Sequence, residues 1–352
     1  MKIVTIVGAR PQFIKAAPVS RILRQVHTEF LIHTGQHYDP ELSKVFFDDL
    51  GLPPPNVNLQ VGSGPHGEQT GRMLAEIERH LDHEKPDWVL VYGDTNSTLA
   101  GGLAAAKLQI PLAHVEAGLR SNNRSMQEEI NRVVTDHLSQ LLLCPSDQAV
   151  KNLNQEGIFK GVHEVGDVMA DSLSQSSQRA QTESKIIEQL KLMPGQYLLL
   201  TLHRAENTDN SDRLHGVLSS LEQTGEKVIF PVHPRTRKLL SSLQFPIPLK
   251  NIEFIPPLGY LDMIRLSGCA RVILTDSGGL QKEAYWLGIP CLTLREETEW
   301  VETVQTGWNK LVGTHPQRIL QGLSAINPPI DRPSLYGDGN TAQRIIDLLN
   351  SG

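Results

Sequence analysis

Lys2-Ile3-Val4-Thr5-Ile6-Val7 runs apolar on nearly consecutive positions and then breaks into Gly8-Ala9-Arg10-Pro11. A strand with one wet face alternates apolar and polar residues, whereas a run without alternation is buried on both faces. Gly8 permits a tight turn, and Pro11 suits the first turn of a helix. The stretch reads as a buried parallel strand feeding a helix. Working outward, the same pattern predicts strands at 30–33, 87–92, 111–115, 140–144 and 162–165. A second series follows at 196–202, 227–231, 252–255, 271–275 and 290–293. Helix-like segments such as 98–108, 126–139, 211–224 and 277–287 lie between them. This βαβα rhythm predicts an α/β fold with Rossmann-like, doubly wound sheets.

The chain has 352 residues, enough for two domains at about 150 residues each. Eleven strands in one sheet would be unusual, and the two series are separated by the polar stretch Ser172-Leu173-Ser174-Gln175-Ser176-Ser177-Gln178. The expected domains are 1–165, 166–338 and a C-terminal helix at 339–352 that packs back on the first. A surface helix within one large domain is the other reading of 166–195. Lys plus Arg is 33 against 39 Asp plus Glu, a net charge of −6, which argues against a nucleic-acid binder. The three cysteines are widely separated and form no CxxC pair, so neither a disulfide scaffold nor a zinc site is expected. The longest apolar stretches are strand-length, and the chain opens directly into a strand. The expectation is a cytoplasmic enzyme with no membrane contact.

Ligands of open parallel sheets sit at the carboxyl ends of the strands. There the sequence places Arg10 and Lys15 around a helix start suited to an anion, or else two solvated cations. Asp94 and Glu116 directly follow two buried strands; a helix N-cap is the competing role for Asp94. Glu128 and Glu129 open a helical segment, a position where acids are common for dipole reasons. In the second half, His203-Arg204 and His233-Pro234-Arg235 follow strands and suit a polyanion, or are satisfied structural histidines. No metal site is read from them. Most specific is Asp276-Ser277-Gly278-Gly279-Leu280-Gln281-Lys282-Glu283. Its glycines and helix amides suit a phosphate, and Glu283, one turn further on, suits ribose hydroxyls. No GxGxxG follows any of these predicted strands and no GxxxxGK[ST] occurs, so dinucleotide dehydrogenases and P-loop enzymes lose support.

These motifs, in this order, resemble the non-hydrolysing UDP-N-acetylglucosamine 2-epimerase family. The likeness runs through Gly8-Ala9-Arg10-Pro11, His33-Thr34-Gly35-Gln36-His37, Gly93-Asp94-Thr95-Asn96-Ser97 and His114-Val115-Glu116-Ala117-Gly118-Leu119-Arg120. It continues in Glu128-Glu129-Ile130-Asn131-Arg132, His203-Arg204-Ala205-Glu206-Asn207, His233-Pro234-Arg235 and Asp276-Ser277-Gly278-Gly279. The resemblance implies two domains facing a cleft, as in GT-B glycosyltransferases, a homodimer, and no metal or redox cofactor. Members acting on UDP-N-acetylglucosamine often read Gly-Thr-Arg-Pro-Glu early and Thr-Glu-Arg-Pro-Glu late. Here Gln12 ends the first and Trp300-Val301 interrupts the second, which is more similar to the branch acting on UDP-2,3-diacetamido-2,3-dideoxyglucuronic acid. Tyr38 and Glu68 depart from the residues typical of activation by substrate at a second site.

The implied chemistry is loss of the C2 proton while UDP leaves C1, giving a 2-acetamidoglucal, then re-addition with a proton on the opposite face. Asp94, Glu116 and Glu128, with His203, are the expected catalytic groups. Arg10, Lys15, His203, Arg204, His233, Ser277, Gly278, Gly279 and Glu283 are expected to hold the UDP-sugar. The product's expected destination is a surface polysaccharide such as an O-antigen. A GT-B glycosyltransferase and a non-catalytic sugar-nucleotide sensor are the alternatives.

Overall fold

A computed structural model describes residues 1–36, 50–232, 236–237, 239–240 and 249–351. His37, Tyr38, His233, Pro234 and Arg235 lie outside the described residues. By contacts the chain divides into two units, Met1–Gln175 with Tyr336–Gly352, and Ser176–Leu335. The sequence expectation placed these divisions at 165/166 and 338/339.

The first unit is built on a seven-stranded parallel sheet: β1 (Lys2–Val7), β2 (Thr28–His33), β3 (Val57–Asn58), β4 (Trp88–Tyr92), β5 (Leu112–Val115), β6 (Leu141–Cys144) and β7 (Val162–Glu164). Their order is β3-β2-β1-β4-β5-β6-β7. Its helices are α1 (Arg10–Val26), α2 (His66–Glu84), α3 (Asn96–Lys107), α4 (Gln127–Leu138) and α5 (Asp147–Gln155). The order reverses between β1 and β4, where Ile6 pairs with Val91. Helix α3 is rich in Ala and Gly and lies close over that pair: a Cβ on Gly101 would stand 2.8 Å from Ile6 and 3.0 Å from Val91. This close approach sets the N-terminus of α3 at the reversal.

The polar stretch 172–178 lies within helix α6 (Val168–Glu183). Its buried positions include Met169, Ser172, Leu173, Ser176 and Ala180, a helical spacing carried partly by serine and alanine, which hides the apolar period. The Ser172 hydroxyl donates to the Ile14 carbonyl. That acceptor is vacant because Pro18, four residues on in α1, has no N–H to offer.

In the second unit a short helix α7 (Ile186–Gln189) precedes a six-stranded parallel sheet: β8 (Leu198–Thr201), β9 (Val228–Pro231), β10 (Ile252–Ile255), β11 (Val272–Thr275), β12 (Cys291–Thr293) and β13 (Asn309–Leu311). The order is β10-β9-β8-β11-β12-β13, reversing between β8 and β11. Its further helices are α8 (Ala205–Thr208), α9 (Ser211–Gln223), α10 (Tyr260–Gly268), α11 (Gly278–Leu287), α12 (Val301–Gln305) and α13 (Pro316–Ala325). Alternate residues fill two separate cores: Leu198, Leu200, Val272 and Leu274 face one, Leu199 and Ile273 the other. Double-sided burial is the physical content of the non-alternating pattern. The chain then returns to the first unit, where α14 (Thr341–Ser351) packs on α1. Among the described residues no helix is long and apolar enough to cross a membrane.

Candidate active site

In the first unit the turn after β4 stands at the reversal point, and its three carbonyls are each met by a side chain from a different element. Tyr92 O accepts from Gln12 Nε2 of α1 at 2.8 Å and from Thr98 Oγ1 at 2.7 Å. Gly93 O lies 2.7 Å from His114 Nε2 of β5. Asp94 O accepts from Asn131 Nδ2 of α4 at 2.8 Å. Gln12 also closes the neighbouring turn, its Oε1 accepting from the amides of Gly8 and Ala9 at 2.7 and 3.1 Å.

Two carboxylates emerge beside this turn, each against a buried cation. Glu116 pairs with Lys15, and Asp94 Oδ2 with Arg132 Nη2 at 2.6 Å. Burial opposes the Lys15 charge, but Glu116 and then Asp94 outweigh it and hold the ammonium above its ordinary range. Gly93 has φ +62°, and a Cβ there would stand 3.2 Å from Glu116 Oε2 and 3.4 Å from Lys15 Nζ, so glycine suits both the backbone and the pair. Glu116 itself has φ +72° without being glycine, a conformation that costs on the order of 1–3 kcal/mol and clusters at functional sites. Its amide bond to Leu143 O at 3.0 Å and the Lys15 pair hold it there.

The structure places the acidic pair of α4 differently from one another. Glu128 is exposed on the first turn. Glu129 is buried, accepting from the amides of Ser121 and Asn122 at 2.9 and 3.0 Å and from Arg132 at 3.1 Å. Burial would raise its pKa, but these donors outweigh that and lower it. Arg10 is exposed, whereas Lys15 is only 8% exposed and turned to Glu116. The network of Gln12, His114, Asn131 and Arg132 around Asp94 was not legible as such in the sequence. Its one signal was polar residues at otherwise apolar positions.

In the second unit the turns after β8 and β11 meet at the corresponding reversal. Asp276 is fully buried and accepts from the amides of His203 (3.2 Å) and Arg204 (3.1 Å) and from Asn207 Nδ2 (3.1 Å). Its Oδ1 lies 3.1 Å from His203 Nδ1, and the His203 side chain is exposed. Burial acts to raise the Asp276 carboxyl, but His203, Asn207 and the Arg204 amide hold it below its ordinary range. Ser277 caps α11, accepting from Leu280 N at 3.4 Å. Gly278 and Gly279 then occupy the first helical positions, whose amides have no partner within the helix. Glu283 is buried, with Tyr260 Oη donating to it at 3.4 Å. Trp300 lies under the buried Lys282, whose Nζ stands 3.7 Å from its ring centroid. The sequence marked Asp276 only as part of a motif; its position directly after a buried strand was the available signal.

Among the described residues no group of three or more His, Cys, Asp or Glu side chains is arranged to hold a metal ion.

Comparison with known proteins bears on this arrangement. The sequence model of the family described as UDP-N-acetylglucosamine 2-epimerase matches residues 22–350. A UDP-N-acetylglucosamine 2-epimerase homolog of Methanococcus maripaludis is 54% identical, with 100% of both chains covered. A UDP-2,3-diacetamido-2,3-dideoxy-D-glucuronate 2-epimerase of Pseudomonas aeruginosa is 46% identical over 99% of both. The crystal structure of the Methanocaldococcus jannaschii UDP-GlcNAc 2-epimerase in complex with UDP-GlcNAc and UDP matches with a TM-score of 0.91 and 44% identity, covering 100% of both chains. The two doubly wound sheets, the ordered strand-end motifs and these likenesses together show that the chain belongs to the UDP-N-acetylglucosamine 2-epimerase family.

Proposed function

We propose that the protein inverts C2 of a UDP-linked 2-acetamido sugar by eliminating and re-adding UDP. The substrate is UDP-N-acetylglucosamine, giving UDP-N-acetylmannosamine, or UDP-2,3-diacetamido-2,3-dideoxyglucuronic acid in the equivalent step. The observation that carries this reading is the pair of strand-end carboxylates, Asp94 and Glu116, each oriented by a buried cation.

The C2 proton is weakly acidic because no carbonyl adjoins that carbon. In the proposed step a carboxylate takes the proton and the C2–H electron pair becomes the C1–C2 double bond. The C1–O bond breaks with its pair leaving on the UDP diphosphate. In the return step UDP adds to C1 while a proton is delivered to the other face of C2. Asp94 and Glu116 are the groups assigned to proton transfer, with Glu128 a third from its exposed position. Lys15 and Arg132 orient them. Arg10, His203, Arg204 and His233 are assigned to the growing diphosphate charge. The Ser277–Gly279 turn is assigned to the phosphates, and Glu283 to the ribose. A homodimer in the cytoplasm supplying a surface polysaccharide is part of the same reading.

Proton NMR in D2O with UDP-N-acetylglucosamine tests it: the C2 proton signal should disappear as UDP-N-acetylmannosamine grows. Exchange only with the diacetamido uronic acid nucleotide would assign the branch; silence with both would overturn the proposal. Asp94→Asn should lower turnover by roughly 100-fold or more while UDP still binds. Unchanged turnover would remove Asp94 from the mechanism.

A further inference from the structure

His114 is completely buried, and each ring nitrogen faces an oxygen at hydrogen-bond distance. Nε2 lies 2.7 Å from Gly93 O, a carbonyl that can only accept. Nδ1 lies 2.7 Å from Asp136 Oδ1. The other Asp136 oxygen already accepts from Gly118 N at 3.1 Å and Arg120 Nη1 at 2.7 Å. A neutral ring has one N–H and one lone pair, so it would set a lone pair against Gly93 O or against the carboxylate.

We infer that His114 is a positioning residue whose two ring nitrogens both donate, fastening the Gly93–Asp94 turn through Asp136 to the turn at Gly118–Arg120. In that arrangement the Nδ1 proton stays on the imidazole and the Asp136 carboxylate accepts it. The Asp136 carboxyl is held below its ordinary range: burial opposes ionisation, but His114 and then Arg120 outweigh it. Other charged groups in the surroundings are Glu156, which pairs with Arg120, and the Lys15–Glu116 pair against Gly93. The Cys144 thiol, which interacts with Asp136, is pushed up to about 12 by burial and is neutral. β4 ends at Tyr92, and the amides of Glu116 and Ala117 beyond β5 donate to Leu143 O, so the imidazole side chain takes the Gly93 carbonyl. Its consequence for turnover rests on the proposed role of Asp94, one residue on.

The test is nitrogen NMR of the intact protein labelled at its 13 histidines, recorded at pH 8, where ordinary histidines near 6.5 are neutral. One ring should show both nitrogens in the protonated region, and that signal should vanish in His114→Gln. In Asp136→Asn one of its nitrogens should move to the pyridine-type region. A His114 ring with one pyridine-type nitrogen in the unmutated protein overturns the inference; sequential resonance assignment of the intact protein identifies that ring should the variant not fold. Kinetically, His114→Gln should lower kcat by about 100-fold, the order expected for a misplaced catalytic group, with KM little changed. Unchanged kcat in a folded variant would overturn the positioning role. If instead Asp94→Asn retains turnover, the catalytic reading fails while the NMR result stands.

Discussion

Gln12 illustrates how one atom exchange at the residue scale changes what a turn can bear. Its Oε1 faces two amides, and its Nε2 faces the Tyr92 carbonyl and the Thr98 hydroxyl. The partners decide the orientation of the amide. From sequence, Gln12 was a marker of substrate branch; in the fold it also joins the turns after β1 and β4. Gln12→Glu keeps the two accepted bonds but sets a carboxylate oxygen against Tyr92 O. We expect a loss of about 2 kcal/mol at neutral pH in urea unfolding. Protonation restores the missing donor, so the loss should shrink on acidification relative to the unmutated protein. A variant equally stable at pH 7 would show that the turn tolerates a carboxylate. Asp94, Glu116 and Ser277 stand out at this scale because each lies within two residues of the end of a buried strand, where a polar residue has few structural reasons to be. Arg132 and His114 do not, because their partners are 38 and 21 residues away in sequence.

At the scale of elements, the strands of consecutive Val, Ile and Leu were legible because burial on both faces leaves a composition that no helix face or surface strand imitates. β3, Val57-Asn58, and β13, Asn309-Lys310-Leu311, carry no apolar run and are not legible in the sequence. Helix α6 shows no apolar period in the sequence because serine and alanine occupy part of its buried face. Pro18 and Ser172 provide the clearest test of how elements compensate one another. Ser172→Ala should leave the Ile14 carbonyl without a donor and cost about 1–3 kcal/mol. Pro18→Ala restores an N–H in α1, so the double variant should recover part of that loss. A double-mutant cycle by chemical denaturation measures the coupling, and strict additivity would show that Ser172 does not serve the gap left by proline.

Over the whole molecule, each unit contains carboxyls whose native pKa is lowered: the buried Glu129 and Asp136 in the first, the buried Asp276 and half-buried Glu299 in the second. For such groups the stabilising contribution is present above the unfolded value near 4 and lost as pH falls through the lower folded value. Thermal unfolding in both units should therefore shift to lower temperature on acidification below about pH 4. Asp171 has the opposite sign. It accepts from the amides of Thr341 and Ala342 at 3.3 and 3.0 Å, yet burial is the largest effect and raises its pKa. Its contribution is fully present below the unfolded value and lost as pH rises through the folded one, so Asp171→Asn should remove that component from the pH profile of α14.

What the sequence by itself determined is the class of the fold, the family, and the residues at the strand ends. The fold class follows from local composition, because double-sided burial writes itself into consecutive apolar residues; the family follows from the resemblance of the ordered motifs that end those strands. Tertiary structure alone decided that Lys15 meets Glu116, that Asp94 meets Arg132, and that three successive carbonyls are held by Gln12, His114 and Asn131. Those partners come from different elements, and hydrogen bonding depends on distance and direction in space, which strand order and register set and linear spacing does not.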